Sequence, residues 1–126
     1  MTAAQILDRA LTHIRRGWCQ HEFVDAYGRN CVIGALAGAK SFTEYFTSAE
    51  FRDPEAFAAL DALATAIGAA RRRPAGRAAL ELDIALWNDS PSRRQEDVIA
   101  ALELALIILE QQRVAELAPM HEQMVG

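Results

Sequence analysis

Helix-length stretches rich in alanine and leucine make up most of this chain, and they restrict it to a mainly helical fold. In the first stretch, Thr2 and Gln5 have the spacing of a capping box, and apolar residues recur at helical intervals from Ile6 to Ile14. A chain of 126 residues fits one domain and can bury a core without disulfides or metals. We therefore predict a single compact domain of four or five helices.

Start signals and composition predict the middle helices. Asp53-Pro54-Glu55 combines a cap, a proline at the first helical position and an acid near the positive end of the helix dipole. Residues 41–52 are dense in aromatic side chains and predict a short helix that packs across the core. Residues 78–87 alternate like a strand but have the composition of a helix. We favour a helix there because no other segment supplies a partner sheet.

The last helix is predicted to span about residues 93–117, and Ser92 and Gln95 repeat the capping-box spacing at its start. Its apolar residues cover nearly all sides, which is typical of a helix that is central in a core or covered by a partner. We predict a helical domain over residues 1–118 and a C-terminal tail over residues 119–126. A homodimer through the last helix is the partner that this pattern suggests.

Composition and charge exclude several classes of protein. The net charge of −4 argues against binding nucleic acid through the whole surface. Met1 leads directly into a charged amphipathic stretch, so we find no signal peptide, and no apolar run has the length of a membrane span. We predict a cytoplasmic protein with no membrane segment.

Two segments hold the residues that helix packing alone does not require. The first motif segment (residues 17–36) contains Gly17-Trp18-Cys19-Gln20, Asp25-Ala26-Tyr27-Gly28-Arg29-Asn30-Cys31 and Gly34-Ala35-Leu36. The second motif segment (residues 84–89) is Ile84-Ala85-Leu86-Trp87-Asn88-Asp89. After the first helix we predict a small β-hairpin or an ordered loop, followed by a helix that Asn30 caps and that has Cys31 in its first turn.

Polar and aromatic residues of these segments are candidates for a ligand site or for a structural brace: Trp18, Gln20, Asp25, Arg29, Trp87, Asn88 and Asp89. As a ligand site, the Trp87 indole, the Asn88 amide and the Asp89 carboxylate would line a pocket at a helix end. As a brace, Trp87 would fill the core while the two polar side chains bond backbone groups of the turn. We favour the brace and expect the two segments to meet in space.

Cys31 and Asp89 are the candidate catalytic residues. A thiol in the first turn of a helix lies at the positive dipole end, which lowers its pKa, and Arg29 would add to this effect. Nucleophilic catalysis would also need a base, for which His21 is available. The alternative, which we favour, is that Cys31 is a small buried core residue.

Two further possibilities for the same segment are a zinc site and a disulfide. Cys19, His21 and Cys31 lack the tightly spaced ligand pairs of structural zinc sites. A disulfide between the two cysteines is disfavoured in the cytoplasm. We predict no metal and no cofactor.

Arg71, Arg72, Arg73 and Arg77 form the only basic cluster of the sequence. Such a cluster is able to contact phosphate or RNA, but no aromatic residues alternate with these arginines. We favour a solvated helix end and expect no nucleic-acid partner.

The two motif segments together resemble a family of small uncharacterised proteins of actinobacteria and their phages, a domain of unknown function. The family pattern combines Trp-x-Gln, Asp-Ala-x-Gly, Cys-x-x-Gly-Ala-Leu and Ile-x-x-Trp-Asn-Asp over about residues 11–105. The residues that match here are Trp18, Gln20, Asp25, Ala26, Gly28, Cys31, Gly34, Ala35, Leu36, Ile84, Trp87, Asn88 and Asp89. His21 departs from the pattern, which has a glycine after the glutamine. The resemblance implies relatedness and brings no activity.

Two functional hypotheses follow from these residues. The first is a non-enzymatic protein-interaction or regulatory module, because the last helix is unusually apolar and no catalytic set converges in the sequence. The second is a small enzyme or ligand-binding protein that uses Cys31 with Asn88 and Asp89.

Overall fold

Three long helices enclose the core of the computed structural model, which describes residues 1–39, 42–47, 53–69 and 76–125. In chain order the described helices are α1 (Ala3–Arg16), α2 (Val32–Leu36), α3 (Phe42–Thr47), α4 (Pro54–Ala66), α5 (Arg77–Asn88) and α6 (Gln95–Val125). The helices α1, α4 and α6 pack against one another, α5 packs on α4 and α2, and α2 also packs on α1. Together they form a single, mainly helical domain.

Aliphatic side chains from four helices meet in the centre of this domain. Those that are almost completely buried are Leu7, Ile14, Leu60, Leu63, Leu80, Ile84, Val98 and Leu102. Each such side chain contributes about 1.5–3 kcal/mol through its removal from water. The apolar stripes of the sequence therefore account for the packing of α1, α4, α5 and the first half of α6.

Two of the predicted helix starts are confirmed. The Thr2 hydroxyl accepts from the backbone N–H of Gln5 at 3.1 Å, and the Gln5 side-chain oxygen accepts from the N–H of Thr2 at 2.8 Å. The Asp53 carboxylate accepts from the N–H of Glu55 at 3.0 Å. The Glu55 carboxylate also accepts from the N–H of Ala3 at 2.8 Å, which ties the starts of α1 and α4 together.

The start of α6 differs from the prediction. The helix begins at Gln95, and the N–H of Arg94 donates to the Asp97 carboxylate at 2.9 Å. The Gln95 side chain does not reach back toward a cap at Ser92, because its amide donates to the carbonyl of Ile14 at 2.7 Å. A partner on α1 has thus displaced the local capping arrangement.

The remaining elements refine the sequence predictions. Residues 78–87 are helical, as favoured, within α5. The α3 helix lies within the predicted helix at 41–52, of which residues 41 and 48–52 are outside the described part. The described helices number six because α2 and α3 are separate elements of 5 and 6 residues. The α6 helix continues without a break to Val125, so the domain boundary at residue 118 stays a prediction. In the described part of the chain, each helix is too short or too polar to cross a membrane.

Candidate functional site

Residues 17–31 of the first motif segment form an ordered loop that folds around Asn30. The carbonyl of Asn30 accepts from the N–H of Cys19 at 3.0 Å, and the N–H of Asn30 donates to the carbonyl of Gly17 at 3.2 Å. The Asn30 side-chain amide donates to the carbonyl of Phe23 at 3.3 Å. Trp18 and Asn30 form an isolated parallel bridge and Val24 and Asn30 an antiparallel one, and neither extends into a hairpin in the described residues.

Cys31, rather than Asn30, caps α2. The Cys31 sulfur accepts from the N–H of Gly34 at 3.3 Å, so the predicted cap was placed one residue too early. Asn30 is unavailable because its side chain and backbone hold the loop. A methyl group at Gly34 would lie 2.3 Å from the carbonyl oxygen of Phe23, so this glycine permits the loop to press against α2.

Asp25 and Arg29 close the tip of the loop. The Asp25 carboxylate accepts from the N–H groups of Tyr27 and Arg29, each at 2.9 Å, and from Nε of Arg29 at 2.6 Å. Partial burial raises the pKa of the Asp25 carboxyl, but these hydrogen bonds outweigh it and hold the pKa below its ordinary value. The Arg29 guanidinium also lies 5.1 Å from the centre of the Tyr27 ring. These two residues stabilise the turn, and no hydrogen bond or ion pair described here links them to the second motif segment.

Asn88 joins the loop to α5 and is only 1% exposed. Its side-chain oxygen accepts from the indole N–H of Trp18 at 2.8 Å and from the N–H of Val32 at 3.1 Å. Its amide donates to the carbonyl of Cys19 at 3.2 Å and to the Asp89 carboxylate at 3.0 Å. One buried amide therefore holds the loop, α2 and α5 in register.

Gln20 and Asp89 add two further links between the segments. The Gln20 amide donates to the carbonyl of Asn88 at 3.0 Å and to that of Ser90 at 2.8 Å. The Asp89 carboxylate accepts from the N–H of His21 at 2.9 Å, and its other oxygen lies 3.6 Å from Nδ1 of His21. The structure thus brings Trp18, Gln20, Asn88 and Asp89 together.

His21 has a backbone conformation that usually favours glycine, with φ of +71°. A glycine is the residue that the resemblance noted above predicts at this position. The left-handed conformation points the N–H of His21 at Asp89, so the contact depends on the backbone. A histidine in place of the predicted glycine can form this contact too, at the cost of a strained backbone at His21.

Trp87 lies beside this polar cluster and is paired with a residue that the sequence analysis did not single out. Arg93 stacks on the Trp87 ring, with its guanidinium carbon 4.1 Å from the ring centre, and donates from Nε to the Trp87 carbonyl at 2.9 Å. Arginine a few residues after a helix end is a common partner for the last carbonyls. That position was the signal available in the sequence.

The thiolate considered for Cys31 is not what the structure favours, because Cys31 belongs to the buried core, which is the interpretation that we preferred from the sequence. Burial raises the pKa of the Cys31 thiol to about 11, because a thiolate would lose its hydration there. The expected contribution from Arg29 is absent because its guanidinium pairs with Asp25. Burial also raises the pKa of the Cys19 thiol, and Asp25 adds to that shift.

Both cysteines are free. The Cys19 sulfur lies within hydrogen-bonding distance of the carbonyls of Glu22 and Arg29, at 3.3 and 3.2 Å. Within the described ranges, no three histidine, cysteine or acidic side chains are grouped as metal ligands.

A pocket of about 500 Å³ lies between the loop and α5. Its lining combines polar residues of the two motif segments with apolar ones: His21, Glu22, Phe23, Val24, Cys31, Ile33, Ala85, Asn88 and Asp89. Its size is within the range of small-molecule sites, and its mixed lining is typical of them. Cys31, Asn88 and Asp89 therefore share one cavity, while Asp25 and Arg29 lie elsewhere.

A second buried polar cluster, on α3 and α5, was missed. The Tyr45 hydroxyl donates to Glu81 at 2.8 Å, and Arg77 contacts the same carboxylate at 2.8 Å and the hydroxyl at 2.6 Å. The spacing of Arg77 and Glu81 on one helix face was the available signal. Arg77 is thus engaged inside the protein, and the other three arginines of the basic cluster are outside the described residues.

Comparison with known proteins supports the resemblance at the level of the family. The profile of DUF6197, a family of unknown function, matches residues 1–106, and the chain belongs to this family. No curated protein and no solved structure matches the chain.

Proposed function

We propose that this member of DUF6197 is a non-enzymatic protein-interaction or regulatory module that forms a homodimer through α6. The observation that carries the proposal is a row of exposed apolar residues along that helix, from its tenth residue onward. Leu104, Ile107, Val114 and Leu117 are 43–53% exposed. We call these four residues the α6 stripe.

The spacing of the α6 stripe favours a helical partner. Leu104, Ile107 and Val114, with Gln111 between them, recur at intervals of three and four, which is the pattern of a seam between paired helices. A single polar residue in such a seam fixes the register of the pair. The stripe therefore has the form of a specific helix-pairing surface rather than of scattered exposed residues.

The charges beside the stripe are compatible with a second copy of the chain. Arg113 contacts the Glu110 carboxylate at 2.6 and 3.1 Å, so these two charges neutralise each other within one helix. Glu116 is then the one further charge between Glu110 and Leu117, so two copies of this surface would repel each other only weakly. From Glu110 to Leu117 every side chain is exposed, and a helix of that kind gains its stability from packing on a partner.

Three of the four stripe residues follow residue 106, where the family match ends. We therefore attribute the dimer to this chain and not to the family as a whole. The cytoplasmic location, and the actinobacterial and phage distribution of the family, stay predictions from the sequence.

Light scattering after size exclusion tests the dimer. We expect a mass of twice 13.9 kDa at high concentration. Val114→Glu would place a charge in the seam and shift the protein to the monomer. Gln112→Glu adds the same charge at an exposed position off the stripe and should leave the dimer intact. A wild-type monomer at every concentration, or equal dissociation by both variants, would overturn the proposal.

The pocket supports a second candidate function, which is binding of a small ligand beside Cys31, Asn88 and Asp89. A neutral Cys31 thiol is a weak nucleophile, so the pocket fits a binding role better than thiol catalysis. Benzylamine is a suitable probe, and saturable changes in the amide resonances of His21 and Asp89 would support the pocket. No change in these resonances up to high millimolar concentration would exclude it.

A further inference from the structure

We propose that the pocket between the loop and α5 selects an organic cation, a positively charged group carried on an apolar body. This inference rests on the second candidate function, because it names the ligand class of the same pocket. It is independent of the dimer through α6, from which it differs in position and in chemistry.

The polar edge of the pocket is acidic. The formal negative charges of its lining are the carboxylates of Glu22 and Asp89, and none of the described residues that line it is a lysine or an arginine. Among these described lining residues, His21 is the one with a basic side chain, and it lies beside Asp89. A cation is therefore the ligand group with complementary charge.

The Asp89 carboxylate is held in place before any ligand arrives. One of its oxygens accepts from the N–H of His21 at 2.9 Å and from the Asn88 amide at 3.0 Å. The other oxygen has His21 Nδ1 at 3.6 Å, which is beyond ordinary hydrogen-bonding distance. This oxygen retains the capacity to accept from a charged donor, and little rotational freedom is lost when it does so.

The rest of the lining is suited to a carbon skeleton. Phe23, Val24, Ile33 and Ala85 contribute apolar side chains to the pocket. A small inorganic cation would leave this surface uncovered, and it would also find fewer oxygen ligands than such ions require. An amine on an aromatic or aliphatic body would use both halves of the lining.

Two exposed leucines on α5 give a way to identify the source of the cation. Leu82 and Leu86, which are 54% and 64% exposed, lie on the helix next to Ala85. A free amine that fills the pocket would not need them. A basic side chain presented by a peptide would bring neighbouring residues onto this exposed part of α5.

Titration of the full chain with three probes tests the charge selection. Benzylamine should bind at least fivefold more tightly than benzyl alcohol, which has nearly the same shape without the charge, and benzoate should not bind. Asp89→Asn retains an oxygen for the His21 N–H. It should weaken the binding of benzylamine by about the same factor as the change from benzylamine to benzyl alcohol does in the wild type. Glu22→Gln should give a smaller loss in the same direction, whereas Glu116→Gln on α6 should change nothing.

The outcomes separate the two levels of the proposal. Equal binding of benzylamine and benzyl alcohol would overturn the charge selection and leave the pocket as a ligand site. No saturable binding of any of the three probes would overturn both. The tripeptide acetyl-Leu-Lys-Leu-amide distinguishes the source of the cation. If it binds more tightly than benzylamine, and if Leu86→Ala removes that advantage, the cation belongs to a peptide. Binding no tighter than that of benzylamine assigns it to a free amine.

Discussion

Two regions of the molecule differ in which groups they leave exposed: the α6 stripe, and the contacts of Trp18, Gln20, Asn88 and Asp89 between the loop and α5, which we call the junction. At the junction, each polar group of the Asn88 side chain has a partner from the same chain, and these contacts join residues 56 to 70 positions apart in sequence. On α6, the apolar residues of the stripe stay about half exposed in the described structure. Buried polar groups thus fix the internal arrangement of this protein, while the exposed apolar groups are the surface that we propose for self-association.

The comparison separates two kinds of sequence signal. The junction lies within the family match, and its residues are the tryptophans, amides and glycines that stand out in composition. The α6 stripe lies mostly beyond that match and consists of ordinary helix residues. Stability should therefore respond strongly to changes at the junction, and association should respond to changes on the stripe.

The largest effect is expected for Asn88→Ala. The truncation leaves the indole N–H of Trp18 and the N–H of Val32 without an acceptor in a buried site, and each orphaned donor costs about 1–3 kcal/mol. We expect the free energy of unfolding to fall by about 4 kcal/mol in urea denaturation. Gln112→Ala, which removes the same amide from an exposed position, should change it by less than about 0.5 kcal/mol. A loss below about 1 kcal/mol for Asn88→Ala would show that the junction does not hold the fold together.

An alkaline loss of stability is expected from the buried thiol at the same junction. The pKa of Cys31 is about 11 in the folded protein and 9.0 as an ordinary thiol. The neutral thiol is therefore the form that the fold favours. Its contribution is complete below pH 9 and is lost as the pH rises toward 11. The difference between the two pKa values corresponds to a loss of about 3 kcal/mol in the free energy of unfolding.

Cys31→Ser isolates this contribution, because a hydroxyl keeps an acceptor for the N–H of Gly34 and does not titrate in this range. The difference in unfolding free energy between wild type and variant should change between pH 9 and 11 and be constant below pH 9. The raised pKa values of Cys19 and Tyr45 affect both proteins equally and cancel in the difference. A difference that does not vary with pH would contradict the burial of this thiol.

Gly34→Ala should cost about 2–3 kcal/mol. The new methyl group would lie 2.3 Å from the carbonyl oxygen of Phe23, and backbone cannot move aside as a flexible side chain can. Gly76→Ala is the control, since φ is −76° and no described atom lies within 4 Å of the added carbon; its cost should stay below about 1 kcal/mol, which is the effect of an alanine at this N-cap of α5. Thermal unfolding should separate the two variants clearly. Similar midpoints for both would mean that the loop does not press against α2 in solution.

Local patterns predicted the fold where the chemistry of a segment is settled within a few residues. The caps at Thr2 and Asp53 follow from their own neighbours, and α5 follows from its composition. The capping predictions at Gln95 and Asn30 were wrong because each side chain bonds a residue distant in sequence. The Gln95 amide donates to the carbonyl of Ile14, and the Asn30 amide donates to that of Phe23.

The same limit applies to the candidate site. The residue types alone identified the candidate residues. They did not predict the pocket, because it forms only where the loop lies against α5. The direction of the pKa shift at Cys31 also depends on burial, which a position in a helix start does not reveal. Long-range placement, rather than residue type, was the missing information.

The smallest effect is expected for Val114→Ser on the α6 stripe, and it tests the other side of the comparison. Val114 is 53% exposed, so the monomer loses little buried surface and its unfolding free energy should change by less than about 0.5 kcal/mol at dilute concentration. At high concentration the wild type should gain a concentration-dependent rise in its unfolding midpoint, since association stabilises the folded state by mass action. The variant should show little of that rise. If Val114→Ser instead lowers stability at every concentration, the second half of α6 is packed within its own domain, and the contrast between the two regions does not hold.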